Sequence, residues 1–247
     1  MIYTPPVSLF WRSFSFMKRS FLFLLSSFLL AGCESTNIPD NPVTQIETQV
    51  GGQTLGDTTS VYWYTHRQNR PIDLSEHVWM GDYGDYESVY RWRAGKLREV
   101  KRTGQQLQGD SVKPFSLHVR YDTQGKAVFQ RYLVDDIVLP LSDTQLHRYT
   151  EQAARALSTM RAQNKEGQRL VQGQWRDGTL VRCDDGKALK VTFTPALPDH
   201  LNKQLAAPQG GYFIAVVGKV RRNEVTATEL LLLQEGGSCL VPPPIAE

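Results

Sequence analysis

The stretch FSLHVRYDTQGKAVFQRYLV, residues 115–134, decides how this chain folds. Apolar and polar residues alternate in its first half, and the apolar ones are Phe115, Leu117, Val119 and Tyr121. A period of two gives a strand one buried face and one face in water. The turn DTQGK then leads into a second run of β-branched and aromatic residues, AVFQRYLV. The pattern predicts an antiparallel hairpin.

The same texture extends to either side of this hairpin. SVYWYTHR (60–67) and SVYRWR (88–93) have the composition of strands, and Gly95 in the turn RAGK can take a positive φ between two of them. After the hairpin, Ser142 and Gln145 have the spacing of a capping box. Apolar residues then recur every three or four positions: Leu146, Tyr149, Ala153, Leu157 and Met160. Residues 55–167 are therefore predicted to form a curved antiparallel sheet closed by one long helix that ends near Gly167.

The last eighty residues predict a second, smaller β-domain, residues 168–247. Three short strands are separated by Asp-Gly turns, Pro198 opens a short helix, and GYFIAVVGKV and EVTATELLLLQ supply two more strands. The order β-β-β-α-β-β matches the five-stranded OB-like barrel. A plain five-stranded sheet with a helix on one face is the alternative. The expected fold class is α+β and mostly β.

The segment MKRSFLFLLSSFLLAGC, residues 17–33, has the layout of a secretory signal: a basic start at Lys18 and Arg19, a short apolar run and small residues before Cys33. The apolar run is too short to span a bilayer, which takes roughly 20 residues. Because this signal is complete from Met17, we expect translation to start there. Residues 34–54 are polar and interrupted by prolines, so we expect a flexible tether between the signal and the folded part.

The motif Leu30, Ala31, Gly32 and Cys33 resembles the signal of bacterial lipoproteins. That resemblance implies cleavage before Cys33 and attachment of fatty acyl chains, such as palmitate, to this residue. Two or more chains give stable anchoring. Glu34 follows in place of the aspartate typical of inner-membrane retention, which favours the outer membrane, with the protein facing the periplasm. The alternative is an ordinary signal peptide that ends in cysteine.

Charge and cysteine content restrict the classes of partner and the compartment. Residues 1–33 hold three basic residues and no acidic one, so 25 basic and 25 acidic residues remain after cleavage. A chain without net charge lacks the electrostatic attraction on which nucleic-acid binding depends. Cys183 and Cys239 are the cysteines left besides Cys33, and in an oxidising compartment we expect them to form a disulfide. Two separate buried thiols are the alternative.

The sequence offers no constellation that indicates catalysis. It has no nucleophile elbow, and in the segment with P-loop spacing Asp110 occupies the place of the phosphate-binding lysine. The five histidines are scattered, without metal-ligand spacing. We therefore predict no catalytic residue, no metal and no cofactor.

Two groups of residues are candidates for binding. Arg91, Arg93, Lys96 and Arg98 lie on one predicted hairpin, where they can engage anionic groups. The alternative is a solvated strand face without a ligand. Trp175, Tyr212 and Phe213 are candidates for a binding face of the barrel, because OB-like barrels bind ligands across one face. Core aromatics are the alternative for these three.

The lipoprotein signal, the segment DTQGKAVFQRYLV and the end from WRDGTLVRCDDGK through GYFIAVVGKV to GSC together resemble the YjaH-type family of uncharacterised gammaproteobacterial lipoproteins. That family has no established activity to transfer. We therefore expect a non-enzymatic binding or structural module of the cell envelope, held to the membrane by its lipid anchor, with an envelope protein, polymer or lipid as partner. The alternative is an envelope hydrolase or modifying enzyme whose active site is assembled from distant residues.

Overall fold

A computed structural model describes residues 45–176, 178–207 and 211–244. The first eight strands form one antiparallel sheet in which each strand pairs with the next along the chain. They are β1 (Ile46–Leu55), β2 (Thr58–Arg67), β3 (Arg70–Trp79), β4 (Gly84–Arg93), β5 (Lys96–Gln108), β6 (Ser111–Tyr121), β7 (Ala127–Val134) and β8 (Ile137–Leu139). A single 3-10 turn, Gly81–Tyr83, separates β3 from β4.

The turns of this sheet follow the local sequence. Gly95 has φ +76° between β4 and β5, as predicted. In the β6–β7 turn, the Asp122 carboxylate accepts hydrogen bonds from the backbone N–H groups of Gln124 and Lys126, each at 2.9 Å. An aspartate that binds its own turn in this way fixes the direction of the returning strand. The predicted hairpin is confirmed, and its four alternating apolar residues are buried.

The long helix α1, Asp143–Glu166, lies against one face of the sheet. The capping box at its start is confirmed: Gln145 donates its backbone N–H to Ser142 Oγ at 3.3 Å, and the backbone N–H of Ser142 donates to Gln145 Oε1 at 2.9 Å. The helix ends at Gly167, which is left-handed with φ +70°. Buried side chains of α1, including Met160, pack against the apolar residues of the sheet's inner face.

Strand β1 corrects the expected extent of the tether. It begins at Ile46, so residues 46–54 belong to the sheet and the tether cannot extend past residue 45. Gly51 and Gly52 lower the strand propensity of this segment, but the close approach of α1 leaves no room for a larger residue at Gly51. A Cβ on Gly51 would overlap the Gln163 side chain, and Gln163 exchanges hydrogen bonds with the backbone of Gly52 at 2.6 and 3.3 Å.

The remaining strands close into a five-stranded barrel. They are β9 (Arg169–Arg176), β10 (Thr179–Arg182), β11 (Ala188–Phe193), β12 (Tyr212–Arg221) and β13 (Glu224–Glu235), with the short helix α2 (Asp199–Leu205) between β11 and β12. The barrel order is β10-β11-β13-β12-β9, and β11 runs parallel to β13. This confirms the mostly-β fold class with a closed barrel and rules out the plain open sheet.

Most buried apolar residues of the described ranges belong to one of three groups. One lies between α1 and the inner face of the sheet, and a second fills the barrel. The third joins the outer face of the sheet to the barrel, where Val61 and Trp63 of β2 meet Phe213 of β12 and Leu231 of β13. Strands β1 and β2 are thus covered on both faces, by α1 and by the barrel. We call the part of the sheet that carries the β4–β5 and β6–β7 turns its far end, and Arg93 and Arg120 are exposed there.

Candidate functional site

The predicted basic hairpin lies at the far end of the sheet and lines a cavity of about 440 Å³. We call this the arginine cavity. Its lining residues are Arg91, Arg93, Arg98, Glu99, Arg120, Tyr121, Asp122 and Val128. Three of the four predicted residues are therefore brought together, and Arg120 of β6 joins them. Lys96 does not line the cavity; its Nζ donates instead to the backbone carbonyl of Thr123 at 2.8 Å.

A bulge in the β4–β5 ladder places Arg98. Arg91 lies opposite Glu99, but Trp92 lies opposite Leu97, so Arg98 is the extra residue without a cross-strand partner. A bulge of this kind redirects a side chain and leaves the rest of the ladder in place. Because of it, Trp92 and Leu97 both pack into the core while the neighbouring arginines face the cavity.

Both carboxylate oxygens of Glu99, at the cavity wall, already have hydrogen-bond partners. Its Oε2 accepts a hydrogen bond from Arg91 Nη1 at 2.8 Å, and its Oε1 is hydrogen-bonded to His118 Nε2 at 2.8 Å. Burial alone would raise the pKa of Glu99, but the hydrogen bonds from His118 and Arg91 outweigh it and lower this pKa. Glu99 is therefore an ionised carboxylate that balances the charge of Arg91.

Arg98 Nη1 and the Tyr121 hydroxyl are buried without a hydrogen-bond partner within the described part of the chain. Tyr121 belongs to the core between α1 and the sheet, and burial, followed by a smaller effect of Tyr149, raises its pKa to about 12. Leaving a buried polar group unpaired costs about 1–3 kcal/mol. Because both atoms have almost no accessible surface, the donors that an anion can reach are the exposed guanidinium groups of Arg93 and Arg120.

Guanidinium groups that converge on one cavity can bind an anion. Arginine presents planar donors that match the oxygens of phosphate or carboxylate, and such charge-assisted bonds are roughly twice as strong as neutral ones. Sequence reasoning missed Arg120 because its place depends on the pairing of β5 with β6, where it lies opposite Glu99.

Arg102, in the same basic segment, faces the opposite side of the sheet and is buried under α1. It donates to Ser88 Oγ at 2.8 Å, Tyr90 Oη at 2.9 Å, Gln152 Oε1 at 3.0 Å and Glu76 Oε1 at 3.3 Å. Its guanidinium also stacks 3.9 Å from the centre of the Tyr86 ring. Every neighbour of this cation is provided by the protein itself, so the cluster is structural.

The expectation of a binding face on the barrel is corrected. Trp175 and Tyr212 are core residues of the barrel, and Phe213 lies in the group that joins the barrel to the sheet. The indole N–H of Trp175 also donates a hydrogen bond to the backbone carbonyl of Leu205, at 2.8 Å. A small closed barrel needs large side chains to fill it, which accounts for these aromatics without a ligand.

The predicted disulfide between Cys183 and Cys239 is confirmed. Cys183 follows β10 and Cys239 follows β13, so the bond ties the C-terminal segment to the barrel. Gln172 reinforces the attachment, because its side-chain amide both donates to and accepts from the backbone of Leu240, at 2.9 and 2.8 Å.

Other kinds of site are not found in the described ranges. No three His, Cys, Asp or Glu side chains there form a group that could hold a metal ion. None of the helices in those ranges combines the length and the apolar character that a membrane crossing requires. The signal motif Leu30, Ala31, Gly32 and Cys33 lies outside the described residues.

Comparison with known proteins gives a family but no activity. No curated protein and no solved structure matches this chain. Residues 50–244 match the model of a family described as a protein of unknown function, DUF1481. This match covers the sheet, α1 and the barrel. The chain therefore belongs to the DUF1481 family of uncharacterised proteins.

Proposed function

We propose that this protein is a lipid-anchored lipoprotein of the cell envelope that binds an anionic group of an envelope partner in the arginine cavity. The observation that carries the proposal is the convergence of Arg93, Arg98 and Arg120 on one cavity, where Arg93 and Arg120 are exposed to an incoming anion. The protein acts as a binding module and catalyses no reaction.

The motif that ends at Cys33 supports the anchoring half of the proposal, as does the resemblance to the YjaH-type lipoproteins. With several acyl chains on Cys33 the anchoring is stable. Glu34 favours export to the inner leaflet of the outer membrane, with the folded part in the periplasm. The disulfide between Cys183 and Cys239 fits that oxidising compartment.

Substitution of the anchoring cysteine tests this half. Cys33→Ser should abolish labelling by a radioactive fatty acid and move the protein from the membrane fraction to the soluble periplasmic fraction. Density-gradient separation of the two membranes should place the unaltered protein with outer-membrane markers. Unchanged fractionation of the serine variant would refute the anchor.

A matched pair of variants tests the binding half. Arg93→Gln/Arg120→Gln removes two exposed arginines from the cavity, whereas Arg131→Gln removes an exposed arginine of β7 that does not line it. Inorganic phosphate, sulfate and acetate are titrated into each protein by calorimetry at low salt. We expect at least one anion to bind, with affinity reduced more than about tenfold in the double variant and unchanged in the control. Equal binding by both variants would contradict the proposal.

The envelope hydrolase is the second candidate, because Glu99 and His118 form a hydrogen-bonded titratable pair at the cavity wall. A general base must be free to take a proton. Both oxygens of Glu99 are occupied and its pKa is lowered, which supports binding over hydrolysis. Release of nitrophenol from a chromogenic phosphate monoester, abolished by Glu99→Gln, would favour the hydrolase instead.

A further inference from the structure

We infer that the anion taken by the arginine cavity is a dianionic phosphate monoester carried on a sugar-sized group, and not a carboxylate or another single negative charge. This inference rests on the proposed function and adds the chemical class of the ligand. It is argued from the charge, the donors and the size of the cavity.

The charge of the lining residues matches a dianion. Arg91 and Glu99 balance each other through their 2.8 Å ion pair. Of the remaining charged lining residues, Arg93, Arg98 and Arg120 are positive and Asp122 is negative. The difference is two positive charges. A phosphate monoester carries about −1.5 to −2 at neutral pH, so it neutralises this excess, whereas a carboxylate or a phosphate diester leaves one positive charge uncompensated.

The donors that a ligand can reach lie at the mouth of the cavity, where Arg93 and Arg120 are exposed. The three terminal oxygens of a phosphate can accept from two guanidinium groups at once, whereas the two oxygens of a carboxylate satisfy fewer of these donors.

The cavity is larger than a phosphate group alone. At about 30 Å³ of liquid volume per water molecule, 440 Å³ corresponds to some fifteen waters. The group that bears the phosphate therefore has room inside. The walls offer it both kinds of contact, since the Tyr121 ring and Val128 are apolar and Asp122 is polar. This combination suits the ring of a sugar phosphate.

The pH dependence of ligand binding tests the charge of the ligand. Glucose 6-phosphate, methyl phosphate, sulfate and glucuronate are titrated into the whole protein in detergent by calorimetry at pH 5.0 and 7.5. A phosphate monoester gains its second charge near pH 6, so we expect its affinity to rise about tenfold or more between these two values. Sulfate and glucuronate keep their charge between these two pH values, so their affinities should not rise. Glucose 6-phosphate should exceed methyl phosphate because the sugar also fits.

The protein's own titratable groups must be separated from this effect. His118 contacts Glu99 from β6, Asp73 lies opposite Arg91 on β3, and Asp122 lies in the β6–β7 turn. Every side chain becomes less positive or more negative as pH rises, so none of these groups can by its charge produce a rise in affinity for an anion. His118→Gln removes the imidazole, and the rise in affinity for glucose 6-phosphate should persist or become larger in this variant. If neither protein shows a rise, the second charge of the ligand does not govern binding, and the inference is wrong.

The outcomes distinguish the two levels of the proposal and the source of the phosphate. If no anion binds, the proposed function itself fails. If all anions bind equally, with the same dependence on Arg93 and Arg120, the function stands and the inference about ligand class is overturned. Vesicles that contain phosphatidic acid present the monoester on a lipid, and vesicles with phosphatidylglycerol present a diester. Preference for phosphatidic acid over the soluble sugar phosphate would overturn the sugar-sized carrier, and preference for phosphatidylglycerol would overturn the phosphate monoester itself.

Discussion

Replacement of Arg102 by methionine should be among the most destabilising single changes in this protein. Arg102 and Glu76 are 6% and 4% exposed, and the guanidinium donates hydrogen bonds to β3, β4 and α1. Methionine keeps much of the volume but removes the charge. Glu76 then retains the 2.7 Å hydrogen bond from Tyr90 but loses its counterion. Breaking a buried ion pair from one side costs about 3–5 kcal/mol.

That loss is a large part of the total stability. A domain of ordinary stability unfolds with about 5–15 kcal/mol, so Arg102→Met should lower the urea midpoint sharply without changing the slope of the transition. Far-UV circular dichroism follows the sheet and tryptophan fluorescence follows the core, and the two probes should give the same midpoint.

A second variant separates the cost of breaking the ion pair from the cost of losing packing contacts. Arg102→Met/Glu76→Gln removes both charges and keeps the shape, and a buried ion pair replaced on both sides often costs little. We expect the double variant to be about 2 kcal/mol more stable than Arg102→Met. The reasoning is refuted if Arg102→Met costs less than about 1 kcal/mol, or if the two single changes simply add in a double-mutant cycle.

Three further predictions concern the two halves of the fold. Burial raises the pKa of Tyr62 to about 12. As pH rises, the unfolded chain therefore loses this proton before the folded protein does, so the contribution of Tyr62 to stability is complete below pH 10 and is lost between pH 10 and 12. Tyr62→Phe should reduce the fall of the urea midpoint in that window. Cys183→Ser/Cys239→Ser should cost about 4 kcal/mol for a cross-link over 56 residues, measured by urea unfolding against the oxidised protein. Gly173→Ala should cost about 1–3 kcal/mol in calorimetry, because its Cβ overlaps a carbonyl of β10, whereas Gly211→Ala should change stability by less than about 0.5 kcal/mol because its Cβ meets nothing within 4 Å.

The parts of the fold that the sequence predicts are those with local causes. Alternation from Phe115 to Tyr121 specifies a strand with one buried face, and Ser142 with Gln145 specifies the start of a helix. Each signal lies within a few residues of the structure that it determines. Their agreement with the structure shows that local preferences and tertiary packing act in the same direction here.

Strand β1 escapes prediction because its cause is distant. Gly51 and Gly52 weaken the strand pattern, and what places them in the sheet is the approach of Gln163, 111 residues along the chain from Gly52. The same holds for Arg120, whose place in the cavity depends on the register between β5 and β6. A single sequence contains the residues of such contacts but not their pairing.

The aromatic residues of the barrel show a different limit. The sequence shows that residues 175 and 213 are aromatic, but an aromatic residue can either face a ligand or fill a core. Their burial follows from closure of five short strands, and closure requires the parallel pairing of β11 with β13 across the intervening helix. Composition alone predicts that the barrel contains aromatics but not on which side of its wall they lie.

Hydrogen-bond pairing, and not the presence of charge, distinguishes a structural arginine from a binding one in the basic segment. Arg98 and Arg102 are four residues apart on β5, and both hold guanidinium nitrogens away from water. Arg102 donates to four protein acceptors, so substitution should act on folding. Arg98 Nη1 has no acceptor within the described part of the chain, and the bulge that places it keeps the ladder intact on both sides. Arg93 and Arg120 line the same cavity and are exposed, so an anion can reach their guanidinium groups without rearrangement, and the arginine cavity is therefore where we expect the ligand.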